Sequence, residues 1–199
     1  MKKVLFVVRV DNYRPDICKV TIPTIKNYAD KIGAEYIEIT ERKYFDYPPT
    51  YEKMQVYELG KDNDWNILVD ADYIIHPDAP DFTLGLNDEY VGFLEAYDLK
   101  NLLTDLGLND KIFKDDGRYI GIVNNFTITY KKTHSLWKPL NMSLKEIEKR
   151  FKRMFAIDEY CVSRNLAENK LKYTGLNYSP QIRDLFKHLE VTTSKENKE

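Results

Sequence analysis

The segment that most restricts the fold is near the start of the chain. Val4 to Val10 is a Val-rich apolar run broken at Arg9. A strand with one wet face alternates apolar and polar residues, and this run does not. It therefore reads as a strand buried on both faces, as in a parallel sheet covered by helices. Parallel neighbours need crossover connections, and the next residues supply one. In VTIPTIKNYADKIG, Ile22, Ile25, Ala29 and Ile32 recur at helical spacing, and Gly33 suits the stop. EYIEI, residues 35–39, then alternates as a second strand. TYEKMQVYELG reads as a short helix after Pro48 and Pro49, and WNILVD as a third strand. The order β-α-β-α-β predicts an α/β domain: a Rossmann-like, mixed, mostly parallel sheet flanked by helices.

Further along, EYVGFLEA (residues 89–96) is expected to be a fourth strand. A short helix and a mobile loop around KDDGR are expected between residues 98 and 117. YIGIVNNFTITY (residues 119–130) reads as a strand that Asn124 and Asn125 interrupt with a bulge or bend. SLKEIEKRFKRMF opens with Ser143 and Glu146, a capping box, and has an apolar stripe of Leu144, Ile147, Phe151 and Met154. IDEYCVSRNLAENK is a further helix, and KYTGLNYSP a short strand and turn. The polar end, VTTSKENKE, is expected to fray. We therefore expect a single domain over residues 1–190 and a disordered tail over 191–199.

Composition narrows the class. A chain of 199 residues with 43% hydrophobic content can bury a real core in one domain. A net charge of −2 gives no general pull toward nucleic acid. Cys18 and Cys161 lie in helix-like stretches without metal spacing, and read as buried free thiols. The basic opening MKKVLFVVRV is too short in its apolar part for a signal peptide. No stretch approaches the roughly 20 apolar residues of a membrane span. The default expectation is a soluble protein in the reducing cytoplasm.

The chemistry concentrates in LVDADYII. Leu68 and Val69 continue an apolar strand, and Asp70 and Asp72 then end it. Ionised carboxylates are costly to bury unless something positive meets them. Open α/β sheets bind ligands beyond the carboxyl ends of their strands. Residues two apart on an extended chain share a face, so both carboxylates can meet one cation. Ala71 between them is small enough to let a ligand approach. Hard divalent ions such as Mg²⁺ and Mn²⁺ share such oxygens with phosphates. The alternative is a plain strand-end turn. A second triplet, Asp62-Asn63-Asp64, lies before the strand and reads as a solvated loop.

LVDADYIIHPD resembles the metal-binding strand of the GT-A glycosyltransferases. YEKMQVYEL is similar to the lysine-containing helix that precedes it in many of them. YIGIVNNFTI resembles their Gly-x-Val-Asn strand under the acceptor site, and IDEYCVSRNL their Asp-Glu helix start. The likeness keeps its order over roughly residues 3 to 175. It implies a GT-A fold and a transferase that moves a sugar from a nucleotide-diphosphate donor, UDP-sugar favoured, to a hydroxyl acceptor such as a glycan. The implied cofactor is Mn²⁺ or Mg²⁺. Asp72 would be the direct metal ligand, with Asp70 on the ribose or on a metal-bound water. Ala71 would lie against the donor. Arg9, Val10, Asp11, Asn12 and Tyr13 would hold base and ribose, Tyr13 either stacking on the base or serving as an ordinary loop residue. Lys53 would meet a phosphate or pair with an aspartate of the motif. Asp158 would be the general base of an inverting enzyme, or would orient substrate in a retaining one, with Glu159 as its substitute. A bare helix-start carboxylate is the rival reading for both.

The third metal ligand is less plain. THSLWKPL looks like a His-containing metal segment of some relatives but lacks its glycine and comes too early in the chain. His188 is better placed, although RDLFKHLE reads as a helix with His188 on its face. His76 reads as a loop residue. Two other classes compete. A haloacid-dehalogenase-like phosphatase would also use Asp70 and Asp72, but here Tyr73-Ile74 follows in place of a Gly-Thr step. A non-catalytic module would rest the basic face of Lys145, Lys149, Arg150, Lys152 and Arg153 on an anionic surface. A sugar nucleotidyltransferase would need a glycine-rich loop that VRVDNYRPD lacks.

Overall fold

The computed structural model describes residues 1–97, 120–143, 145–146, 149, 151, 156–177 and 180–189. A six-stranded sheet forms its centre. The strands are β1 (Lys3–Val8), β2 (Glu35–Ile39), β3 (Trp65–Asp70), β5 (Tyr90–Tyr97), β6 (Gly121–Tyr130) and β7 (Lys172–Gly175), in the order β2-β1-β3-β6-β5-β7. β6 runs antiparallel to both neighbours, and the other five share one direction. The sheet is thus mixed and mostly parallel, as the Val-rich first strand requires. The alternation inside β1 shows why that segment is apolar throughout. Val4 and Phe6 enter the core on one face, and Leu5 and Val7 the core on the other. Each such side chain contributes about 1.5–3 kcal/mol on burial.

Helix α1 (Pro15–Ile32) covers the second face with Cys18, Ile22, Ile25, Ala29 and Ile32. It starts five residues before the predicted segment because Pro15 sets the first turn and Asp16 suits the helix start. Gly33 ends it at φ 67°, a left-handed conformation that glycine adopts without a Cβ clash. The opposite face is covered by a 3₁₀ segment (Pro49–Gln55) leading into α2 (Val56–Leu59), by a second 3₁₀ segment (Lys131–Trp137), and by α3 (Ile157–Glu168). The predicted helix over TYEKMQVYELG is therefore mostly 3₁₀. Both cysteines are free and buried, one in α1 and one in α3.

Two short strands lie outside the main sheet. β4 (Tyr73–Ile75) pairs antiparallel with β8 (Phe186–His188), which follows α4 (Pro180–Asp184). The helix expected over RDLFKHLE stops at Asp184. The backbone of Leu185 to Leu189 instead bonds along β4, with His76 N–H donating to Leu185 O and Leu189 N–H to Asp72 O. The expected irregularity at Asn124-Asn125 is present. Between the pairs Phe93–Thr127 and Glu95–Val123 the register slips, so β6 carries extra residues there. The Ser143–Glu146 capping box forms. Of the rest of that helix only Lys149 and Phe151 are described, Phe151 of the predicted stripe being buried edge-on against Tyr160; the region 98–117 and the tail 191–199 lie outside the described residues.

Candidate active site

The carboxyl ends of β1 and β3 open into a cleft lined by Val8, Val10, Tyr13, Pro49, Thr50, Lys53, Asp70, Ala71 and Asp72, with about 420 Å³ of open space. Asp70 is the last residue of β3, and Ala71 and Asp72 form the turn into β4. Helix α1 fixes that turn. The hydroxyl of Thr21 donates to Ala71 O, and Ile75 N–H donates to Thr24 Oγ1.

Two separate arrangements hold the two carboxylates. On one side Lys53 Nζ donates to Asn124 O at 2.6 Å and meets Asp70 Oδ1 at 2.7 Å and Asp158 Oδ2 at 3.1 Å. An ammonium has three N–H bonds, so these three acceptors saturate it. Burial opposes the charge on Lys53, but Asp158 and Asp70 outweigh it and raise its pKa. Burial pushes the carboxyl of Asp70 up to about 6, against the pull of Lys53. On the other side Asp72 is buried. Its Oδ2 accepts from the Tyr13 hydroxyl at 2.8 Å and from Arg14 Nη1 at 3.0 Å, and its Oδ1 lies 3.1 Å from His188 Nε2. Burial would raise the Asp72 carboxyl, yet the bonds from His188 and Tyr13 hold it below the usual range. The bond to Asp72 raises His188 above an ordinary histidine, against burial. Burial and Asp72 together push the Tyr13 phenol up to about 12.

Asp70, Asp72 and His188 offer ligand atoms that all lie within 4.8 Å of one another. Two carboxylates from the end of β3 and the turn into β4, and one imidazole from β8, suit a divalent ion that keeps positions for phosphate oxygens. His188 arrives on β8, where Tyr73 is its cross-strand partner and the two rings stack at 5.3 Å.

The other sequence candidates take these places. Tyr13 lines the cleft and bonds Asp72. Arg9 pairs with Glu38 at 3.0 Å, and Asp11 with Arg42 at 2.7 Å. Both lie on the loop that follows β1. Asp158 is buried against Lys53, and Glu159 is half-buried beside it in the first turn of α3. His134 donates or accepts only within the fold, to Tyr57 O and Asn66, away from the cleft. His76 is an exposed residue beside Asp78. In the other triplet Asp62 is exposed, but Asn63 is buried on Asn66 and Asp64 pairs with Lys131. It lies at the opposite end of β3 from the cleft.

Arg14 and Glu52 were not singled out from sequence. Arg14 closes a loop in which it, Asp11 and Asn12 all have positive φ (37°, 54° and 53°). Non-glycine residues in that region carry strain that tends to gather at ligand sites. Glu52, fully buried, accepts from Arg42 and from the backbone of Lys43 and Tyr44, and so ties the loop after β2 to the cleft wall. Adjacency to Tyr13 was the available signal for Arg14. Nothing in the sequence marked Glu52.

No protein-family model and no curated protein matches the chain in sequence. Solved structures match it in shape. A glycosyltransferase involved in glycosylation of the major capsid of the virus PBCV-1 superposes with a TM-score of 0.56 at 10% identity, over 96% of this chain and 94% of that one. A mutant β-1,4-galactosyltransferase 7 from Drosophila, in complex with manganese, UDP-galactose and xylobiose, gives 0.57 at 11% identity, over 96% and 71%. The galactosyltransferase LgtC, with donor and acceptor sugar analogues, gives 0.54 at 14% identity, over 92% and 86%.

Proposed function

We propose that this chain, which has the GT-A glycosyltransferase fold, moves a sugar from a nucleotide-diphosphate donor to a hydroxyl acceptor with a divalent ion at Asp70, Asp72 and His188. The convergence of those three side chains at the carboxyl end of β3 carries the reading. A neighbour of the same fold binds manganese and UDP-galactose, which supports a UDP-sugar as donor. The imidazole favours Mn²⁺ over Mg²⁺, because Mg²⁺ prefers an all-oxygen shell.

A bound ion would neutralise charge gathering on the departing diphosphate. The chain's own residues do the rest. Tyr13 and Arg14 hold Asp72 through Oδ2, while Oδ1 and His188 Nε2, which bond each other at 3.1 Å, would turn to the ion when it binds. Lys53 fixes Asp70 from beneath. Because Lys53 is saturated by protein acceptors, the donor phosphates have to find their contacts elsewhere. Tyr13 and Pro49 give the cleft flat walls beside Ala71, where a base can lie. Arg9 and Asp11, on the loop after β1 and paired with Glu38 and Arg42, would face the ribose.

The phosphatase alternative needs an accessible aspartate as nucleophile. Asp72 is buried and already bonded by three side chains, and Asp70 is bound by Lys53. The anionic-surface module leaves the built cluster without a role. The test is donor hydrolysis with UDP-, GDP- and dTDP-sugars, each with and without Mn²⁺. Turnover of one donor that depends on the metal and vanishes in folded Asp72→Asn is expected. Undiminished turnover in that variant would falsify the assignment.

A further inference from the structure

We infer that Glu95 is the catalytic base that takes the proton from the acceptor hydroxyl. This rests on the transferase reading above. Asp158, the carboxylate on the α3 start, is 2% exposed and faces Lys53. An acceptor hydroxyl would have to displace that ammonium to reach it. Glu95 has the opposite situation. It is exposed, and among the described residues no lysine or arginine pairs with its carboxylate, although it lies near enough to His188 to favour that imidazole's charged form. It lies near the end of β5, which runs in the same direction as β3, so it stands on the same edge of the sheet as Asp70.

Its placement is built. The Tyr73 hydroxyl donates to Glu95 Oε1 at 3.0 Å, and the buried Tyr73 ring stacks on His188. One phenol therefore separates Glu95 from the proposed metal cluster. Glu95 also opens the slipped register between β5 and β6. Such bulges re-aim side chains beside active sites. The residues of β6 that the slip leaves without regular partners include Asn124 and Asn125. Asn124 holds Lys53 through its carbonyl, while its side-chain Nδ2 and the Oδ1 of Asn125 are buried without a hydrogen-bond partner. The β3–β6 ladder ends at Val69–Phe126, so Asn125 is the residue that follows toward Asp70. Asn124 and Asn125 thus lie on β6, the strand between the ends of β3 and β5, each with one unpaired buried polar group. Unpaired buried polar groups call for a partner, and a hydroxylic substrate supplies both kinds.

In the step, the acceptor oxygen bonds to the anomeric carbon while that carbon's bond to the diphosphate oxygen breaks. The nucleoside diphosphate leaves with the bonding electrons. The hydroxyl proton passes to the carboxylate of Glu95. One displacement of this kind inverts the anomeric configuration.

The experiment compares wild type, Glu95→Gln and Asp72→Asn with UDP-, GDP- and dTDP-sugars and Mn²⁺, using water and simple glycosides as acceptors. Glu95→Gln should keep the wild-type melting temperature and its rise with Mn²⁺ and nucleotide. Its donor KM should be unchanged and its kcat lower by about a hundredfold or more. Tyr73→Phe, which keeps the ring and loses the bond to Glu95, should lower kcat by a smaller factor. The product should have inverted configuration by NMR. Near-wild-type kcat in Glu95→Gln, or retained configuration, overturns the role of Glu95 and leaves the transferase reading standing if Asp72→Asn is inactive. Absence of turnover by wild type with every donor overturns both.

Discussion

At the scale of single residues, Lys53 decides whether the cleft floor is stable. It is the cation recorded between Asp70 and Asp158, and all three side chains are largely withdrawn from water. Removing one partner of a buried ionic group costs about 3–5 kcal/mol, because the charges left behind are uncompensated. Lys53→Met should lose stability of that order in urea unfolding, since two carboxylates then face each other with no cation. Adding Asp158→Asn to Lys53→Met should recover part of the loss, because one of the opposed charges is gone. Additive losses would show that the two residues do not act as a unit. Asp70 and Asp72 were legible in the sequence because each is a charge ending an apolar run, and Lys53 because YEKMQVYEL resembles the lysine-containing helix before such a strand. Their partners were not. The pairing of Lys53 with Asp158 joins positions 105 residues apart, and the Arg14 contact depends on a left-handed backbone at a residue type that does not announce it.

At the scale of elements, two segments show what a pattern can and cannot convey. The main strands were readable because burial on both faces leaves apolar runs. β8 was not readable, since FKH is three residues with two of them exposed. It is a strand because β4 offers backbone partners, and that pairing brings His188 to Asp72. His188→Ala should therefore weaken Mn²⁺ binding by about tenfold or more in calorimetry, while the folded structure persists by circular dichroism. Unchanged affinity would remove His188 from the ligand set. At the other end of β3, Asn66 donates to Gly60 O and accepts from Asn63, and its amide also meets His134. A Cβ on Gly60 would stand 2.3 Å from Asn66 Oδ1 and 2.8 Å from Val56 O. One of those is the backbone of α2, so the strain cannot be relieved by a rotamer change alone. Gly60→Ala should cost about 1–3 kcal/mol through overpacking, read as a lower urea midpoint with an unchanged m-value. A neutral result would mean that the α2–β3 turn yields more easily than its buried network implies.

At the scale of the whole molecule, the proposed site ties together parts of the chain far apart in sequence. The loop after β1 supplies Tyr13 and Arg14, β3 supplies Asp70, the following turn Asp72, and β8 supplies His188. No helix among the described residues is long and apolar enough to cross a membrane. Thermal unfolding reads the coupling between ligand and fold. A ligand that binds only the native state adds RT ln(1 + [L]/Kd), about 2.7 kcal/mol at a hundred times Kd. For a chain of this length that corresponds to a rise in Tm of roughly 5–10 °C. The two carboxylates need a cation before they can meet a diphosphate, since otherwise like charges oppose each other. UDP in the presence of Mn²⁺ should therefore give the full rise, Mn²⁺ alone a smaller one, and UDP with EDTA almost none. Asp72→Asn should abolish the metal-dependent part. If UDP raised Tm fully in EDTA, the nucleotide would be binding without the acidic pair, and a cation shared by the strand end and the β8 segment would no longer be the link that joins donor binding to the fold.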